Sequence, residues 1–282
     1  MKAKTAFLIL IILLILSNSG FSEIQHDTDK LMAGLNDKDW SDRLKAALVL
    51  GKIKNPRTIK PLVQTLSDDN FYVRRAAANA LIQIGKPCLK LLSISVRDVD
   101  WFVRKESVYA LSEIDGVGSI GFITEALRDE DLRVTNEAKT ALIKIGKPAI
   151  KPVIVLLNDR NGDVKRNAGY VLSKIGKPAV EPLIGVLKNA DNDAVIEAVW
   201  ALGEIGDSRA VNSLILILKN ENSIVRWEAI AALGKIGDEK IVEFIRPMLN
   251  NENSRIKNIA KEVTERLKNK DKKGISVAAF KN

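Results

Sequence analysis

Residues 161–187 read NGDVKRNAGYVLSKIGKPAVEPLIGVL. Val164, Ala168, Val171, Leu172 and Ile175 recur at spacings of three and four, which draws one apolar stripe along a helix. Ala168 and Gly169 are small where a neighbouring helix must come close. Gly176 then stops the helix, and Pro178 suits the first turn of the next one. Val180, Leu183, Ile184 and Leu187 draw a second, shorter stripe. The stretch is therefore two helices joined by tight turns. Neither stripe can be buried alone, so the unit has to stack against copies of itself.

The copies are present. The same phrase opens at Asp42 (a degenerate version), Val73, Val103, Val134, Val164, Ala194, Val225 and Ile256, at steps of 30 or 31 residues. A period of that length over eight copies predicts an all-α fold, an α-solenoid of about eight antiparallel helix pairs spanning residues 23–267. Three residues before each opener stands Asp39, Asn70, Asp100, Asp131, Asn161, Asp191, Asn222 or Asn253, placed to cap the second helix of each pair. Two residues earlier comes a second column: Asp37, Asp68, Asp98, Asp129, Asp159, Asn189, Asn220 and Asn251. These suit the turn that ends the first helix. A carboxylate that recurs in every copy marks the frame rather than a site. The basic residue after the opener (Arg43, Arg74, Arg104, Lys165, Arg226) is expected to bridge to these columns, the alternative being an anionic ligand.

Asp98 to Asp115, DVDWFVRKESVYALSEID, nearly spells a known signature, D-x-D-W-x-V-R followed by A-L-x-x-I-G. The chain resembles the HEAT-like repeat family first named for phycobilisome lyases, over roughly Asp27 to Leu267. The resemblance implies a right-handed superhelix in which the second helix of each pair lines a concave side where partners bind. It also brings two enzymatic precedents, bilin lyases and the di-iron deoxyhypusine hydroxylases. The hydroxylase site is built from His-Glu pairs, and this chain has one histidine, His26, outside every repeat. Zinc sites of the His/Cys type and Ser-His or Cys-His nucleophile pairs fail on the same count. No catalytic residue, cofactor or metal site is expected, and the chain is read as a non-enzyme. Gly116-Val-Gly-Ser-Ile-Gly121 fits GxGxxG, but a helix precedes it where a dinucleotide site needs a strand.

The N-terminus points to an address. Lys2 and Lys4 precede an apolar run of eleven residues from Ala6 to Leu16, followed by small residues with Gly20 and Ser22 at cleavage spacing. Residues 1–22 are expected to be a signal peptide, the run being short for a spanning helix. The protein is then exported (periplasmic, envelope-associated or secreted), with membrane contact only if the leader is retained. The single cysteine, Cys88, replaces a small core residue and is expected to be a buried thiol. Residues 268–282 form a basic C-terminal tail that caps the last repeat or stays mobile.

With the frame fixed by repetition, recognition belongs to the positions that vary. Two such positions on the second helices carry Tyr109, Tyr170, Trp200 and Trp227, in a chain that is only 5% aromatic. They are the candidate partner-binding residues on the concave face, with packing between helices as the alternative. A rim column of Trp40, Phe71, Trp101 and Leu132 is expected to pack over the caps. The net charge of +9 is concentrated early, in Arg74, Arg75, Arg104 and Lys105 among others. The leading expectation is a monomeric scaffold holding a protein or peptide. The alternative is a polyanion or nucleic-acid binder using those basic residues, which an export signal disfavours for nucleic acid.

Overall fold

The computed structural model describes residues 21–189, 191–237 and 240–279, and side chains over 28–188, 191–237 and 240–269. The expected leader lies outside the described residues, except for Phe21 and Ser22, which open the first helix. The described residues form sixteen α-helices. They are α1 Phe21–Gly34, α2 Trp40–Ile53, α3 Ile59–Gln64, α4 Phe71–Ile84, α5 Leu89–Ser95, α6 Trp101–Asp115, α7 Ile120–Glu125 and α8 Leu132–Ile145. The rest are α9 Ile150–Val155, α10 Gly162–Ile175, α11 Val180–Asn189, α12 Asn192–Ile205, α13 Val211–Ile217, α14 Ser223–Ile236, α15 Ile241–Ile245 and α16 Ser254–Ala279. Odd numbers are the first helix of each pair and even numbers the second. This is the all-α solenoid that the period predicts. The chain divides into two compact units, residues 1–141 and 142–282, with α8 straddling the boundary.

In the first unit α2 packs on α4 and α4 on α6. The eighth residue after each opener, Leu50, Leu81 and Leu111, is buried at the centre, with Leu62, Leu92 and Ile123 from the first helices behind it. In the second unit the same roles fall to Leu142, Leu172, Leu202 and Leu233, backed by Val153, Leu183 and Leu214, as α10, α12, α14 and α16 pack in sequence. Burying one such leucine stabilises by about 1.5–3 kcal/mol, so the stripe is the main force stacking the repeats. Cys88 sits inside the first unit with its thiol donating to the Leu81 carbonyl at 3.3 Å, and burial pushes its pKa up to about 11.

The first helices are less simple than their stripe. α3, for example, is flanked by 3-10 turns at Pro56–Thr58 and Thr65–Ser67, and α9 by Lys147–Ala149 and Leu156–Asn158. Gly176 ends α10 at φ 81°, a backbone that only glycine adopts cheaply, and Pro178 then enters a 3-10 turn before α11 begins. The segment read as a basic tail continues α16, which runs to Ala279. Gly116 to Gly121 lie between the end of α6 and the start of α7.

Candidate partner-binding faces

The Asp/Asn columns build the turn that presents the second helices. All eight cap residues accept from a backbone N–H in the first turn of the following helix, at 2.8–3.0 Å. Seven members of the second column accept the cap residue's own N–H: Asp37, Asp68, Asp98, Asp129, Asp159, Asn220 and Asn251. The basic residue after the opener closes this frame. Arg74 donates to the carbonyls of Asp68 and Asp69, and its guanidinium lies 3.7 Å from the Phe102 ring centre. Arg104 donates to the carbonyls of Asp98 and Val99 and makes a two-point pair with Asp129 of the next repeat at 2.6 and 2.8 Å. Arg43 pairs with Asp68 in the same way. Arg74 and Arg104 are 7% and 8% exposed. Arg104 clamps two turns through both arms of its fork, while Arg74 bonds its own turn through one nitrogen, stacks on Phe102 and leaves its buried Nε without a hydrogen-bond partner.

In the first unit the face of α4 and α6 carries Arg75, Lys105 and Tyr109, all half-buried. Arg75 lies over the Tyr109 ring at 4.1 Å and 3.5 Å from Glu106, while Lys105 lies 3.2 Å from Glu106. The Tyr109 hydroxyl donates weakly to Asn79 at 3.4 Å. Glu106 is 1% exposed, so the two cations balance a buried carboxylate. Beside them Glu137 on α8 has its pKa raised by burial, against the pull of Lys105 and Arg75. The rim of this unit is more open than cap-covering rings would leave it. Trp40 is 44% exposed and Phe71 49%, while Trp101 is covered by Arg133 at 3.3 Å.

The second unit brings out the other aromatics. Tyr170 on α10 is 40% exposed with Lys174 5.5 Å from its ring, Trp200 on α12 is half-buried, and Trp227 on α14 is 37% exposed. Glu197 on α12 and Glu228 on α14 occupy equivalent positions, three after the opener. Burial raises the pKa of both, and neither has an ion pair within 4 Å among the described residues. Trp227 also lines an open groove of about 1010 Å³ between α14 and α16, together with Ile224, Ile259, Arg255, Glu252 and Glu262. The sequence points to Trp227 because it stands out in a variable position. It does not point to Ile224, Ile259 or Glu252, which join the groove only through the stacking of two repeats. Among the described residues no group of three or more His, Cys, Asp or Glu is placed to hold a metal ion.

The model of the family described as HEAT repeats matches residues 28–112, 120–199, 150–223 and 180–265. No curated protein matches the chain. Among solved structures, an engineered protein is 22% identical, covering 92% of this chain and 83% of its own, at a TM-score of 0.37. The CpcE–CpcF complex of phycocyanin lyase from Nostoc is 20% identical over 85% of this chain and 94% of the matched one, at 0.37. The complex of Kap95p with RanGDP gives 15% identity and a TM-score of 0.50, covering 93% of this chain and 44% of the matched one. At these identities the likeness concerns the fold alone. Because the repeat motif covers most of its length and its helix pairs stack as that motif requires, the chain belongs to the HEAT-repeat family.

Proposed function

We propose that this protein is an exported, non-enzymatic scaffold that holds a protein partner on the second-helix face of its C-terminal unit. The observation that carries this reading is the exposed aromatic set Tyr170 and Trp227, with Trp200 half-exposed beside them, on helices whose frame is otherwise uniform. Rigid aromatic area at variable positions of a repeated frame is the usual composition of a binding hot spot. Kap95p, of the same fold, binds RanGDP; for this chain the reading rests on its own residues. The signal peptide expected over residues 1–22 supports export, and one histidine outside the repeats supports a role without catalysis.

The polyanion alternative is weaker. Arg74 and Arg104 have their guanidinium groups engaged on carbonyls, on an aromatic ring and on Asp129, and Arg75 and Lys105 face Glu106. A phosphate would have to displace these contacts. The test is capture of partners from the native cell envelope with the tagged chain. A discrete protein that survives high salt and is lost from the Tyr170→Ala/Trp200→Ala/Trp227→Ala variant is expected. Capture unchanged by that variant, or of salt-labile polyanions alone, would remove the reading.

A further inference from the structure

The groove between α14 and α16 says more about the partner than the aromatic count does. Its floor is apolar: Trp227 and Ile224 of α14 face Ile259 of α16, and Ile224 is 57% exposed. Its edges carry Glu252 and Glu262. Neither carboxylate has an ion pair among the described residues, whereas Asp129 is paired with Arg104 and Glu204 with Lys235. Arg255 lies on the same helix face as Glu262 but seven residues before it, about 10 Å along the axis. Of the charged residues that line the groove, two are acids and one is a base.

Among the described residues several rings carry a cation, although Trp40 and Trp200 do not. Arg75 lies over Tyr109, Arg74 over Phe102, Arg133 over Trp101 and Lys174 near Tyr170. No cation of the described residues lies over Trp227, although indole is the strongest acceptor of that contact. An exposed indole, an aliphatic wall and an unpaired carboxylate together form the complement of a long cationic side chain. The methylenes of such a chain would lie along Ile224 and Ile259, with its head between the ring and a carboxylate.

We propose that this groove anchors the partner by taking a lysine or arginine side chain from an extended segment of a polypeptide. Trp227 would stack on the cation and Glu262 would pair with it. The inference rests on the protein-binding reading above and narrows it to a basic segment.

The test uses the full chain and a blocked hexapeptide alternating leucine and arginine, followed through the Trp227 indole N–H signal, which Trp227→Phe assigns. The peptide is expected to move that signal saturably. Replacing its arginines by citrulline, which keeps the shape and removes the charge, should weaken binding about tenfold. Glu262→Gln, an isosteric change at an exposed position, should weaken it about fivefold without altering the melting temperature. Equal affinity for the citrulline peptide, indifference to Glu262→Gln, or movement of the Trp40 and Trp101 signals in place of Trp227 would overturn the proposal. Its failure is distinct from failure of the scaffold reading. A salt-stable partner captured through Tyr170, Trp200 and Trp227 while the arginine peptide ignores the groove sinks only the cationic anchor. Peptide binding in the groove without any captured protein sinks only the scaffold reading.

Discussion

The carboxylates separate at the residue scale into two populations with opposite responses to pH. Glu137, Glu197 and Glu228 have pKa values raised above 4.5 by burial, so the fold holds their protons more tightly than the unfolded chain does. Such groups lower stability as pH rises from about 4.5 through their raised values. Asp131 and Asp207 are held down to about 2 by Arg133 and Arg209. Their contribution is complete above 3.8 and is lost as pH falls toward 2. The combined contribution of these five carboxylates is therefore expected to be greatest between about pH 3.8 and 4.5. Glu228→Gln should raise the melting temperature at pH 7 by about 1–2 °C and leave it nearly unchanged at pH 4. An equal shift at both values, read by calorimetry, would contradict burial as the cause. Much of the residue-level frame was legible in sequence. The Asp/Asn columns could be assigned as caps because one residue type recurs at one offset in every copy. The arginines could be tied to the turns, but not to the backbone carbonyls they reach, because a carbonyl has no signature in the sequence.

At the scale of the element, close approach between second helices sets the stacking distance. A Cβ on Gly203 would lie 2.8 Å from the Cα of Ala232, so α12 and α14 touch backbone to side-chain stub there. Gly203→Ala is expected to destabilise by about 1–3 kcal/mol, because a backbone has to move to admit the methyl. Gly185→Ala in α11 has nothing within 4 Å of the new Cβ and should be neutral or stabilise by up to about 1 kcal/mol. Urea melts of the two variants make the comparison, and similar effects at both sites would contradict the close-approach account. The helix pairs themselves followed from periodicity, as the Leu172 and Leu202 layers illustrate. The 3-10 turns that break up the first helices did not. A proline after a glycine announces a helix start, and i+3 against i+4 bonding in the next few residues depends on how the turn is packed.

The two units of the whole molecule differ in what they leave unpaired. In the first, Arg75, Lys105 and Tyr109 are drawn into one network around Glu106. In the second, half-buried Glu197 and Glu228 and exposed Glu262 have no ion partners among the described residues. The sequence shows the residues of both sets and their columns. It does not show which set satisfies itself, since that depends on which side chains of successive repeats meet. Recognition is proposed to lie in the second unit. Cross-linking mass spectrometry on the captured complex tests this most directly. Partner cross-links are expected on Lys174 and Lys235, the lysines that α10 and α14 carry in their last turns. Cross-links confined to first-helix lysines such as Lys60, Lys90 and Lys151 would contradict it.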